Sequence, residues 1–369
     1  MFSLLKIRGT IIGLILVGIL SMSSCTVYRT LRYGGLPSQN DYKRFPQQKV
    51  LNGDTPFYFK KASTDYKLGT SIGLTNRDFN STNVSLDSLV QLHNTLYFLI
   101  IRNDTILYSY FKDTYTDRSL MSSFSMVKPM ISTMIGIAIT EGKLSLTSDN
   151  AKFYWGNNLR KEVSKAELEF PPDTQFKYSS TNTQLLGMII ARATGLKLSN
   201  YLQEKIWKPL GMEAPAYWSL DRKDEKAIEK AFCCFQARTT DFAKFGRLYL
   251  NEGKWNEKQI VPKQWIIDST RPDPRGNNKH YYNNNWGLGL MKYGSYFAVG
   301  LYGQFLYFYP EKNIMIVRFG NTDTSYHPNY WKETFLQIID QLESNIDQNN
   351  FFRIYLDYRV IFMILISKK

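Results

Sequence analysis

The chain is poor in the residues that build metal centres and cross-links. It has only three cysteines and three histidines in 369 residues. The cysteines stand at 25, 233 and 234, so neither zinc-binding spacing nor a disulfide framework is present. Cys233 and Cys234 are sequence neighbours. Adjacent residues rarely bridge, because the bond demands a geometry that an ordinary backbone does not offer, and no cross-link is expected. His93, His280 and His327 lie in no context that suggests a histidine-based triad. Long apolar runs are also missing. Thr10–Leu20 and Val360–Ile366 both fall short of the roughly 20 residues that a membrane-spanning helix needs. No dense Lys/Arg block occurs, although 46 basic residues outnumber 32 acidic ones for a net charge of +14. That scatter argues against nucleic acid as a partner and suits an anionic surface such as a membrane or wall polymer. What the chain does have is apolar mass. At 43% hydrophobic and 15% aromatic it can bury a substantial core.

Residues 1–25 read as an export signal. Lys6 and Arg8 give a positive start, Thr10–Leu20 an apolar run, and small residues Ser21, Ser23 and Ser24 precede Cys25. Small residues directly before a cysteine resemble a bacterial lipobox, with Met22 where leucine is usual. The resemblance implies a mature protein lipidated on Cys25, anchored to a membrane in the cell envelope. Residues 26–60 read as a tether that becomes an ordered lead-in. Leu96–Arg102 and Thr105–Phe111 read as a hairpin, turned at Asn103-Asp104. From Leu144 to Thr240 the pattern is mostly helical. Short strands return at Tyr296–Val299, Phe305–Tyr309 and Ile314–Phe319, and Tyr326–Ile346 reads as a closing helix. The expected fold is α+β: an antiparallel sheet flanked by helices and built from both ends of the chain, with a helical subdomain at 144–240 inserted in a domain spanning 61–347. Residues 348–369 form a tail without an assigned role.

Chemistry concentrates at Phe124-Ser125-Met126-Val127-Lys128-Pro129, which opens an apolar helical run ending at Gly142. A serine and a lysine three apart at a helix mouth share one face. The hydroxyl needs a base to become a nucleophile. A lysine can be that base only when burial or a nearby cation lowers its pKa. The free N–H groups of a helix start could meet a developing oxyanion. The spacing alone is weak, since it recurs at Ser3/Lys6 and Ser109/Lys112.

Ordered segments beyond it carry a resemblance. Ser125-Met126-Val127-Lys128, Phe176-Lys177-Tyr178-Ser179-Ser180, Trp207-Lys208-Pro209-Leu210-Gly211-Met212 and Gly300-Leu301-Tyr302-Gly303-Gln304 succeed one another. The order resembles the serine hydrolase superfamily of class C β-lactamases, D,D-peptidases, related esterases and 6-aminohexanoate-dimer hydrolases, over residues 90–345. The resemblance implies a β-lactamase/transpeptidase-like fold, Ser125 as nucleophile, and Lys128 and Tyr178 sharing the proton work. It implies an oxyanion hole from the backbone N–H groups of Ser125 and Gln304, and no metal or organic cofactor. Ser180, Leu301, Gly303, Gln304 and Trp286 are the expected substrate contacts.

The departures shape the expected substrate. Ser180 stands where asparagine is common, and Leu301 where a lysine or histidine is common. Loss of that polar residue removes the partner of a substrate carboxylate. An ester or amide substrate, cleaved through an acyl-enzyme, is therefore expected, on the pattern of the 6-aminohexanoate-dimer hydrolase branch. A penicillin-binding D,D-carboxypeptidase or β-lactamase is the alternative, and a non-catalytic ligand-binding protein on the same fold a further one. Tyr281, Tyr282 and Trp286 precede the third box and could line a pocket. The stretch Arg160–Glu169 is shorter and more charged than the family pattern, and Asp173 replaces a usual glycine.

Overall fold

The computed structural model describes residues 37–63, 68–75, 83–143, 159–163, 176–273, 281–289, 293–321 and 330–343. In chain order the principal elements are strands β1 (Gln47–Val50), β2 (Thr95–Arg102), β3 (Thr105–Phe111) and β4 (Leu120–Ser122), then helices α1 (Lys128–Thr140) and α2 (Ser180–Thr194). Strands β5 (Ala216–Ser219) and β6 (Phe235–Arg238), helix α3 (Thr239–Leu250), and strands β7 (Tyr296–Gly300), β8 (Gln304–Tyr309) and β9 (Ile314–Gly320) follow. Residues 330–343 are helical. The fold is α+β with antiparallel sheets, as expected. Contacts divide the chain into two units, Met1–Phe57 with Leu120–Trp286, and Tyr58–Ser119 with Gly287–Lys369.

The second unit is a twisted sheet with the central order β7-β8-β9-β2-β3. Asn103 and Asp104 take φ +49 and +57, the turn that matches the right-handed twist of a two-residue hairpin. β9 pairs antiparallel with β2, Arg318 opposite Phe98 and Ile316 opposite Ile100, so the two ends of the chain meet in one sheet. Phe98, Ile100, Phe305, Tyr307 and Ile316 face one side, the period-2 consequence of the pleat. The closing helix covers that face with Trp331, Phe335, Ile338, Ile339 and Leu342, a stripe at helical spacing.

The first unit holds a small antiparallel sheet of order β1-β5-β6-β4. Two of its strands fall in the stretch read as mostly helical, which also holds α2. β5 and β6 are four residues each, too short to show a period of their own. They are strands because Gln47–Val50 and Leu120–Ser122, distant in sequence, offer them ladder partners. Phe235 packs edge-on against Trp207, Trp218 and Phe242 at 5.1–6.0 Å. α1 is buried from Lys128 to Ala138. Gly136 is required on it, because a Cβ there would lie 2.4 Å from the Trp265 ring.

One buried cation organises the second unit. Arg318 is 1% exposed. Its guanidinium donates to the carbonyls of His93, Tyr302 and Gly303 and to Thr95 Oγ1, at 2.7–3.2 Å, and stacks over Trp331 at 3.7 Å. The bend that Arg318 holds carries two successive residues in left-handed backbone, Tyr302 at φ +65 and Gly303 at +70. Any side chain at Gly303 would meet Arg318 Nη1 at 2.5 Å. Arg318→Met leaves these acceptors buried without donors, and each such acceptor costs roughly 1–3 kcal/mol. We expect it to lower the unfolding free energy by at least about 3 kcal/mol, read as a fall in the urea midpoint at unchanged slope.

Candidate active site

The backbone before Ser125 is strained. Phe124 takes φ +45, where a bulky residue rarely sits. It opens a 3₁₀ turn, Phe124–Val127, that runs directly into α1 at Lys128. In a 3₁₀ turn residues three apart eclipse, so Ser125 and Lys128 leave the backbone on one side. Ser123 N–H donates to the Phe235 carbonyl at 2.9 Å and fixes the turn to the end of β6.

Lys128 is 1% exposed. Its Nζ donates to Ser180 Oγ at 3.2 Å and lies 5.2 Å from the Tyr178 ring centre and 5.7 Å from that of Phe232. Burial alone lowers its pKa to about 7. An ammonium has three donors to satisfy. One hydroxyl and two ring faces are poor compensation for lost water, so the neutral amine is favoured. Tyr178 neighbours Ser125. It keeps 48% of its surface exposed, yet burial of the phenol pushes its pKa up, with the Ser125 hydroxyl pulling the other way. A phenolate is therefore disfavoured, and Lys128 is the group poised to accept a proton near neutrality.

α2 delivers the second box. Ser179 caps it, accepting from Thr181 N–H at 3.2 Å, and Ser180 is its first residue. The fold thus gathers Ser125, Lys128, Tyr178 and Ser180 within the first unit. It adds Phe232 and Asn285, which sequence reasoning did not assign, and Tyr282, which it had offered only as pocket lining. Phe232 comes from the 229–235 loop, which Gln184 on α2 grips through the Glu229 carbonyl and the Ala231 N–H. Asn285 Nδ2 donates to the Lys128 carbonyl at 3.2 Å. The Tyr282 ring stands edge-on to Tyr178 at 5.8 Å. Tyr282 was visible as part of an aromatic loop; Phe232 and Asn285 carry no local signal.

Trp286 is fully buried, stacked on Phe245 at 6.2 Å and packed on Tyr249 at 4.5 Å. It is corrected from substrate contact to core, because a ring of that size contributes most when fully desolvated. Leu301, Gly303 and Gln304 belong to the second unit. Leu301 is 42% exposed. The Gln304 side chain is fully buried and committed to the bend, donating to the carbonyls of Leu301 and Gly320 and accepting from Gly320 N–H. Cys25, Asp173, residues 164–169 and the 348–369 tail lie outside the described residues. Among the described residues no cluster could hold a metal ion, and no helix is long and apolar enough to cross a membrane.

Cys233 and Cys234 are disulfide-bonded to each other, against expectation. The folded turn supplies what the bare sequence does not. Cys234 takes φ +66. The turn is held by Trp218 Nε1, donating to the carbonyls of Lys230 and Cys233, and by Ser219 N–H, donating to that of Cys234.

The Beta-lactamase family profile matches residues 146–336, about half of the chain. The chain belongs to this family. The matched span includes Tyr178, Ser180 and the 300–304 bend, whereas Ser125 and Lys128 precede it. A 6-aminohexanoate-dimer hydrolase from Paenarthrobacter ureafaciens is 24% identical over 158 residues, 39% of this chain and 38% of the relative. The match therefore spans well under half of that protein's length. A solved structure described as "Putative 6-aminohexanoate-dimer hydrolase from Bacillus anthracis" superposes with a TM-score of 0.71 at 21% identity, covering 85% of this chain and 93% of its own. Another, EstCE1, "a hydrolase with promiscuous acyltransferase activity", gives a TM-score of 0.52 at 15% identity, covering 69% and 95%. These likenesses show a beta-lactamase-like fold.

The lysine sets the pH dependence. Its pKa falls from 10.5 to about 7 on folding. The unfolded chain then binds the extra proton between those values, so stability rises with pH across that window. The destabilisation is complete below about pH 7 and fades toward 10.5. Lys128→Met is expected to stabilise the fold at neutral pH, by an amount that shrinks as pH rises to 10, measured by urea unfolding. In the intact protein, the rate of Ser125 acylation should rise with pH along a single limb of apparent pKa about 7.

Proposed function

We propose that this protein is an exported, lipid-anchored serine hydrolase that cleaves an ester or amide through an acyl-enzyme on Ser125. The observation that carries the reading is Lys128: buried, 3.2 Å from Ser180 Oγ and 5.2 Å from the Tyr178 ring centre, with a pKa lowered to about 7. Ser125 Oγ attacks the carbonyl carbon, and its proton passes by way of Tyr178 to neutral Lys128. The tetrahedral oxyanion collapses, the bond to the leaving alkoxide or amine breaks, and that group takes the proton from Lys128. Water then attacks the acyl-serine ester, again delivering a proton to Lys128. Ser125 leaves with that proton as the acid is released. The 6-aminohexanoate-dimer hydrolase relative supports an amide or ester substrate. Leu301, in place of a cation, argues against substrates held by a carboxylate.

The test is a fluorophosphonate probe followed by intact mass and peptide mapping. One adduct on Ser125, absent in Ser125→Ala, is expected, with ester turnover falling by at least about 1,000-fold in that variant. A folded protein without an adduct overturns the enzymatic reading and favours a ligand-binding role. Export and anchoring rest on residues 1–25. Expressed in a bacterium, the chain should partition into the detergent phase of a Triton X-114 extract, and Cys25→Ser should move it to the aqueous phase. Equal partitioning of the two would exclude a lipid on Cys25.

A further inference from the structure

Tyr178 is the first member of a continuous aromatic chain. Its ring meets Tyr282 edge-on at 5.8 Å and 81°. Tyr282 meets Phe176 at 5.3 Å, and Phe176 meets Tyr281 at 5.7 Å and 85°. The two ends of the chain are open: Tyr178 is 48% exposed and Tyr281 60%. Both are among the large apolar side chains exposed in the described residues, and Tyr281 connects through Phe176 and Tyr282 to Tyr178, the neighbour of Ser125. The wall is held in place as well. Asn284 and Asn285 take φ +41 and +68, and the latter anchors this turn to the carbonyl of Lys128 itself. The rings are therefore tied to the same backbone as the proposed base. The members of the wall carry no charge, and Lys128 is neutral above about pH 7.

We infer that Phe176, Tyr281 and Tyr282 are specificity-determining residues that select substrates with an uncharged aromatic ring beside the scissile carbonyl. The inference rests on the acyl-enzyme reading of Ser125. Perpendicular rings leave an exposed face and an exposed edge, and an incoming flat ring can pair with both. Each such pair is worth roughly 0.5–1.5 kcal/mol beyond simple burial. A saturated ring of the same size gains the burial alone. An anionic group gains neither.

The experiment compares methyl phenylacetate, methyl cyclohexylacetate and monomethyl succinate by pH-stat at pH 8. The methylene in the first two insulates the carbonyl, so their intrinsic reactivities are close. The intact protein is expected to favour phenylacetate over cyclohexylacetate by about 10-fold in kcat/KM, with succinate poorest. Tyr281→Leu and Phe176→Leu, both checked for folding by circular dichroism, should each cut the phenyl-to-cyclohexyl ratio several-fold. A ratio within about 2-fold of unity in the intact protein, or one unchanged in both variants, overturns the inference. Fluorophosphonate labelling separates the two levels. Ser125 labelled without aromatic preference sinks the specificity assignment alone. Ser125 unlabelled sinks the acyl-enzyme reading and this inference with it.

Discussion

The first unit is built around the cost of burying an amine. Taking an ammonium out of water without a counter-ion costs more than a domain can spare, so the group sheds its proton instead. Lys128 shows that outcome, at 1% exposure with a pKa near 7. Its surroundings follow from the same constraint. A carboxylate beside it would restore the positive charge and remove the base. Among the described residues, what surrounds Lys128 is Ser180 Oγ and the faces of Tyr178 and Phe232. These tolerate either protonation state at modest energy. The charged form stays disfavoured, so a proton on Lys128 is held weakly.

Arg318 offers the contrast. It too is buried, and it too lies over an aromatic face. Its donors, however, reach three carbonyls and a hydroxyl. A guanidinium cannot shed its proton at any relevant pH, so burial demands full satisfaction. The result is a rigid staple that holds the Tyr302–Gly303 bend in left-handed backbone. A saturated cation makes structure, whereas a starved one makes chemistry.

The 229–235 loop shows how much rests on one short connection. It feeds β6, receives Ser123, is gripped by Gln184 and places Phe232 beside Lys128. Its Cys233–Cys234 bridge sits at the centre of these contacts. The strain at Phe124 is sustained by the same surroundings, since the turn around it is pinned at Ser123.

Local chemistry in the chain was enough for the hairpin at Asn103-Asp104, the strands of the second unit, the closing helix and the order of the boxes. Those features depend on turn propensity and side-chain period, which neighbouring residues set. The grouping of Ser125 with Lys128 was legible from their spacing, and that of Tyr178 and Ser180 with them only through the resemblance carried by the ordered boxes. The tertiary structure decided the rest. Strands β5 and β6 exist only because remote segments pair with them. Trp286 turned inward, since core space for its ring was available. Cys233 and Cys234 joined because a folded turn held them together. The depressed pKa of Lys128 is the clearest case: a lysine's charge state depends on what surrounds it in three dimensions, and Phe232 and Ser180 stand more than 50 residues away along the chain.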